Sequence, residues 1–320
     1  MKHSSEKSNM QNELAVHEKQ KSNMRFKRKV KENLIGYSFI GVSLVGFLAF
    51  MVFPLFYSLV ISFMNWNMFQ GFSASTFIGW KNYAAVLKDD YFITGFWNNI
   101  KLAVMIVPAL LLIALILAYL LNGKIFGRGA LRAAYFMPYI AITTASALVF
   151  SAVFNAEFGP VNEFLRAIGV ENPPGWAMSV KWALPVVALF IIWKNIGYCV
   201  VIYLASLQGI SESYYEAASI DGANKIQQFR FITVPLVSPT TFFLVITNMI
   251  MAFRTFEEVQ MLTGGGPGTT TYTMILRIYT KAFSEYDMGF ASAAAWIYFC
   301  VVMVITIFQF VGQKKWVKYT

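Results

Sequence analysis

Charge is scarce in this chain. Asp, Glu, Lys and Arg make up 13% of its 320 residues, against a hydrophobic fraction of 57%. An ordinary soluble domain carries about twice that charge, so composition excludes one and places the chain in the membrane class. Histidine is nearly lacking, and His3 and His17 both lie near the N-terminus. No acid, base or metal cluster can be built from them, which argues against a membrane enzyme; no catalytic residue, metal or cofactor is expected. The two cysteines, Cys199 and Cys300, lie in apolar stretches, at a spacing that suits neither a metal site nor a disulfide framework. Both are expected to be buried, inert thiols. No Walker A loop occurs: Gly123-Lys124 lacks the upstream glycine, and the glycines around Gly265 have no Lys-Ser or Lys-Thr after them. If ATP drives this protein, a separate subunit hydrolyses it. No internal repeat or low-complexity tract is visible, and the first apolar block is too long, and its leader too extended, for a cleavable signal peptide.

What the chain does have is six apolar blocks: from Leu34 to Ser62, Ile100 to Leu121, Leu131 to Val153, Leu184 to Leu204, Thr240 to Val259 and Ala293 to Val311. Each reaches the roughly 20 residues needed to cross a bilayer. They do not alternate polar and apolar, as barrel strands would, so helices must satisfy the backbone in lipid. The expected fold is an all-α integral membrane protein with six transmembrane helices. The formal net charge of +10 is unevenly spread. Nine Lys and Arg precede Leu34 (Lys2, Lys7, Lys19, Lys21, Arg25, Lys27, Arg28, Lys29, Lys31), and more lie at Lys124, Arg128, Arg132, Lys225, Arg230, Lys314, Lys315 and Lys318. The opposite loops hold Lys81, Lys88, Arg166, Lys181, Arg277 and Lys281. The positive-inside rule then puts both termini in the cytoplasm. Residues 1–33 read as a polar, basic tail that touches anionic membrane lipid rather than nucleic acid. Residues 34–320 form the transmembrane domain.

The inner segment between blocks four and five carries the polar run Tyr215-Glu216-Ala217-Ala218-Ser219-Ile220-Asp221-Gly222-Ala223. Ser211 and Ser213 are good N-cap types, and Ser213 with Glu216 fits a capping box. Gly222 suits a helix stop. A second helical piece is expected from Asn224 to about Ile232, with Pro235 and Pro239 breaking the chain before the fifth span. Glu212 and Glu216 face the same way, a mildly unfavourable pair that a basic partner surface would offset. Ala217, Ala218 and Ala223 are small enough to admit a partner's backbone. The pattern alone allows either a docking element or a solvated loop helix. Lys194 lies mid-block, where a charge costs about 2.5 to 3.5 kcal/mol on the insertion scale, so it must face protein or water. With Arg254, Glu257 and Glu258 near the end of block five, the choice is between internal ion pairing and a polar passage. Pro108 and Pro138 lie well inside blocks two and three, and bending and plain packing explain them equally.

The spacing Glu216-Ala217-Ala218, Asp221-Gly222-Ala223, Phe229, Ile232, Pro235, Pro239 resembles the cytoplasmic signature of permease subunits of bacterial ABC importers. The stretches Phe53-Pro54-Leu55-Phe56-Tyr57-Ser58, Gly79-Trp80-Lys81-Asn82-Tyr83 and Leu262-Thr263-Gly264-Gly265-Gly266-Pro267-Gly268 are similar to the sugar-type permeases of the maltose, lactose and sn-glycerol-3-phosphate group. The resemblance spans roughly Leu34 to Val311. It implies the type I importer permease fold and a coupling helix at about 211–223, with Tyr215, Glu216, Ala217, Ala218, Asp221, Gly222 and Ala223 seated in a groove of a cytosolic ATP-binding-cassette ATPase dimer. It further implies a second, related permease as heterodimer partner and an external solute-binding protein. The solute passage would be lined by Lys194, Asn195 and Tyr198 on span four and Asn248 and Thr255 on span five; Ala252, which also matches, has no polar side chain. The implied solute is a sugar, with a glycerol phosphate as alternative. A self-contained secondary transporter would show inverted repeats and mid-membrane carboxylates; only Glu257 and Glu258 are candidates for the latter. The glycine loop reads as a structural turn or as a contact for the external binding protein.

Overall fold

The computed structural model describes residues 33, 36–38, 40–71, 75–123, 127–314 and 316–317. The basic tail expected over residues 1–33 therefore lies outside the described residues, save for its last position. The chain divides into two compact units, Met1–Val60 and Ile61–Thr320. The first holds most of helix α1 (Gly36–Ser62). This helix carries a π-helical turn over Leu48–Val52, and Ser58 Oγ donates back to the Leu55 carbonyl at 2.8 Å. It contains few charges and exposes Phe50, Phe53 and Phe56, as a lipid-facing span can.

The second unit opens with a small antiparallel hairpin, β1 (Met64–Asn65) on β2 (Thr76–Phe77), with Met64 opposite Phe77. Helix α2 (Lys81–Val86) is tied to it through Asn82 Nδ2, which donates to the Ser62 and Met64 carbonyls at 2.9 Å each. Helix α3 (Asp90–Asn122) runs for 33 residues. It starts ten residues ahead of the apolar block because the Asp89 carboxylate accepts from the Phe92 N–H at 2.8 Å, an N-cap that hydropathy does not report. Pro108 sits inside α3 without interrupting it. Block three, expected as one span, is two helices, α4 (Arg128–Ile140) and α5 (Thr143–Val153), meeting at 102°. The break falls three residues after Pro138. Then come α6 (Pro160–Ala167) and the long α7 (Ala183–Gln208).

Helix α8 (Glu212–Ile220) follows, then α9 (Lys225–Leu236), which meets α10 (Ser238–Phe253) at 64°. The chain breaks between Pro235 and Pro239, as expected, although α9 runs past Ile232 to Leu236; the bend comes at Val237, and Pro239 takes the first turn of α10, where its missing N–H costs nothing. Block five also stops early: α10 ends at Phe253 and a separate short helix, α11 (Glu257–Leu262), carries its last residues. Helices α12 (Met274–Tyr279) and α13 (Met288–Gln313) are the last described helices. Four helices are long and apolar enough to cross a membrane, and the count is six where each bent pair makes one span.

The core forms where α3 lies along α7, with α10 and α12 also against α3 and α4 against α7. Leu102, Ile106, Leu110, Ala114 and Ala118 recur every four residues on α3 and are fully buried. That spacing puts them on one face, and the alanines let helices approach closely. Gly197 of α7 takes this furthest: a Cβ there would meet the Tyr135 carbonyl oxygen of α4 at 2.1 Å. Of the two cysteines, Cys199 is buried as expected, but Cys300 is exposed on α13, because its stretch of that helix turns an apolar face outward.

Candidate functional site

The polar run folds as a helix with both ends closed. Ser211 is the N-cap, its Oγ accepting from the Ser213 N–H at 3.4 Å. The capping box expected at Ser213 and Glu216 is not formed, because Ser213 already lies in the first turn. A capping box forms one helix later: Asn224 Oδ1 accepts from the Gln227 N–H at 2.9 Å, and Gln227 Oε1 accepts from the Asn224 N–H at 2.8 Å. At the other end of α8, Gly222 adopts φ +80°. Its N–H donates to the Ser219 carbonyl at 3.1 Å, and the Ala223 N–H to the Ala218 carbonyl at 2.9 Å. This is a Schellman stop, which needs the left-handed residue that glycine supplies.

Glu216, Ala217, Asp221 and Gly222 are exposed, whereas Tyr215, Ala218 and Ala223 are half-buried. Ile220 is 87% exposed and Ile226 78%. Both are apolar side chains standing out from an otherwise polar segment. Glu212 and Glu216 both border a cleft of about 830 Å³, with Asn122, Gln208 and Lys225 on its other walls. Two residues that sequence reasoning missed hold this knob. Gln228 of α9 donates through Nε2 to Ser219 Oγ at 2.8 Å, and the Tyr215 hydroxyl pairs with Thr233 Oγ1 at 3.0 Å.

Of the five expected passage residues, three lie on α7, one on α10 and one in the gap after α10. Lys194 is 8% exposed, and its Nζ donates to the Ala141 carbonyl at 2.7 Å. That carbonyl lies at the break between α4 and α5, so the ammonium caps a helix end. The Glu258 carboxylate also lies within its electrostatic range. Tyr198, one turn on, stacks against Tyr139 of α4 with centroids 5.2 Å apart. Asn195 bonds back to the Ile191 carbonyl at 2.8 Å. Asn248 is buried facing Cys199 and donates to the Leu244 carbonyl at 2.7 Å. Thr255 is buried in the gap after α10; its Oγ1 donates to the Met251 carbonyl and its own carbonyl accepts from Thr273 Oγ1. Lys194 and Tyr198 thus face the broken third span, and Asn248 and Thr255 lie within packing contacts.

The bundle end opposite α8 is joined by polar side chains. Asn98 donates to the Thr269 and Tyr272 carbonyls of the glycine loop at 2.9 and 3.0 Å. Arg277 grips Asp89 with two nitrogens, at 3.0 and 2.6 Å, and reaches Glu285 at 2.7 Å. Burial would push the Glu285 carboxyl up, but its hydrogen bond to Lys281 and the nearby Arg277 guanidinium outweigh this and hold it below the usual carboxylate value.

The described residues are mostly helical, with four apolar helices long enough to cross a membrane, two further bent pairs, and the capped helix α8. The chain belongs to the family described as binding-protein-dependent transport system inner membrane component, which matches residues 92–317. It is 35% identical over 291 residues to the probable ABC transporter permease protein YurN of Bacillus subtilis (strain 168), covering 90% of this chain and 97% of that one. It is 36% identical to the sulfoquinovosyl glycerol transport system permease protein SmoG of Agrobacterium fabrum, covering 80% and 82%. It is 32% identical to the sn-glycerol-3-phosphate transport system permease protein UgpA of Escherichia coli O157:H7, covering 88% and 95%. A chain of a bacterial ABC transporter involved in import of the acidic polysaccharide alginate shares the fold, with a TM-score of 0.80 at 22% identity over 92% of this chain and all of that one. The protein is an ABC importer permease and a multi-pass component of the cytoplasmic membrane.

Proposed function

We propose that this permease carries a sugar or sugar-derived solute inward, with α8 as the seat of a cytosolic ATP-binding-cassette ATPase dimer. The termini and α8 then lie in the cytoplasm, an external solute-binding protein delivers the solute to the opposite end, and a second, related permease completes the conduit. The chain itself performs no catalysis. The observation that carries this reading is the exposed, doubly capped helix α8, with Ile220 and Ile226 standing clear of the bundle. The names of SmoG and UgpA support a sugar or glycerol-phosphate cargo.

Gly222→Pro tests the docking role. Proline cannot adopt φ +80° and removes an N–H from the stop. Uptake is expected to vanish and ATP hydrolysis to lose its link to solute, with membrane insertion intact. Normal uptake by this variant refutes the reading. The solute path is proposed to run beside α7 and α10, past Lys194, Asn195, Tyr198, Asn248 and Thr255. Polar side chains within a membrane bundle are candidates for such a path, and amides suit sugar hydroxyls. Asn195→Ala and Asn248→Ala are expected to raise the KM for uptake; if both leave transport and specificity untouched, the path lies elsewhere.

A further inference from the structure

Helix α8 has a mechanical difficulty. None of its nine residues is fully buried, and only Tyr215 and Ala218 are half-buried, so apolar packing does little to fix its angle to the bundle, and it is followed by a glycine at φ +80°. A push on such a helix would be absorbed by the turn unless something spans it. Gln228 does. It is 2% exposed, and its Nε2 donates to Ser219 Oγ at 2.8 Å and to the Ala223 carbonyl at 3.3 Å, with the Tyr215 carbonyl at 3.5 Å. Its Oε1 accepts from Lys225 Nζ at 3.3 Å. Ser219 Oγ in turn donates to the Tyr215 carbonyl at 2.7 Å. One amide therefore joins α8, the glycine turn and α9. Its partners on α8 lie on the face toward α9, leaving Ile220 free.

We infer that Gln228 is the positioning residue that makes α8 and α9 one rigid piece. Movement imposed on α8 is then delivered along α9 to the 64° bend at Val237, and from there to α10, instead of being lost at Gly222. The Tyr215–Thr233 hydroxyl pair is the second tie, and Thr233 is fully buried. A buried amide with all its partners made is rigid, and a half-satisfied one is costly. This rests on the reading of α8 as the ATPase seat.

The test uses the complete transporter in proteoliposomes, with uptake and ATP hydrolysis measured in the same vesicles. In Gln228→Leu and in Gln228→Glu, which keeps the acceptor toward Lys225 but loses both N–H donors, the ATPase should still co-purify and hydrolyse ATP. Solute moved per ATP should fall about tenfold, the scale of one or two hydrogen bonds; Ser219→Ala should fall less. A ratio equal to that of the unaltered transporter in both Gln228 variants overturns the inference. If Gln228→Leu does not assemble, Gln228→Glu decides. Spin labels at Ser213→Cys and Arg230→Cys, with Cys199→Ala and Cys300→Ala, give a second readout. Their distance distribution should broaden when Gln228 is replaced, and an unchanged width also overturns the inference. Ile220→Asp separates the two layers: it should release the ATPase, and an ATPase that stays bound undoes the docking reading itself.

Discussion

Asn99 shows how much one side chain can hold. It is fully buried. Its Nδ2 donates to the Ala252 and Phe253 carbonyls at 3.1 and 3.2 Å, and its Oδ1 accepts from the Met274 N–H at 3.1 Å. These are backbone groups that helix ends leave open, the last carbonyls of α10 and the first amide of α12. Asn99→Leu would strand them away from water, at about 1–3 kcal/mol for each group left unpaired. The expected result is a clear drop in the melting temperature of the detergent-purified protein; a melting curve that does not move would contradict the bridging role. Lys194 follows the same logic. Its place in the middle of an apolar block was legible as a charge needing company. The identity of its partner was not, because Ala141 is 53 residues away and offers a carbonyl only where a helix breaks.

At the scale of elements, hydropathy read existence well and interruption poorly. Six apolar blocks were evident because each is long enough to cross lipid. The breaks at 141–142 and 254–256 were not, because apolar character runs through the first and only a charge marks the second. Proline alone did not locate the breaks, since Pro108 lies in an unbroken helix while the bend at Val237 falls just after Pro235. Membrane helices tolerate proline when neighbours satisfy the freed groups. The start of α3 was missed by ten residues because an Asp cap and two partnered asparagines extend it beyond the lipid-compatible stretch. The stop of α8 was legible, since Gly222 after a run of helix formers has one conformational use. Its latch was not. Gln228 looks like any surface residue in a polar segment, and only the folding back of α9 on α8 buries it. Close packing is equally silent in sequence: Gly95 reads as a flaw in a helix until its missing Cβ is seen to admit the Met274 backbone, which would stand 2.7 Å from it.

Across the whole second unit, the two ends of the bundle are built differently. At the α8 end, apolar side chains stand exposed and one buried amide joins α8 to α9. At the other end, Asn98, Asn99, Thr273 and Arg277 fasten the glycine loop and α12 onto the start of α3. Acid should distinguish them. Glu285 is held below its ordinary value of 4.5 because Lys281 and Arg277 favour the carboxylate more than burial disfavours it. A group depressed on folding contributes stability that is present above its unfolded value and is lost as pH falls through the folded one. Arg277 stays protonated throughout, its own value being raised because Asp89 and Glu285 outweigh burial. The stabilisation should therefore be intact at neutral pH and fade below about pH 4.5. It should be modest, since the Glu285 side chain is 41% exposed and solvent screens such pairs. Melting temperatures measured from neutral pH downward should fall more steeply for the unaltered chain than for Glu285→Gln, the two curves converging in acid. Parallel curves would mean that Asp89 alone holds Arg277, and that the turn carrying Lys281 and Glu285 plays no part in fixing that end of the bundle.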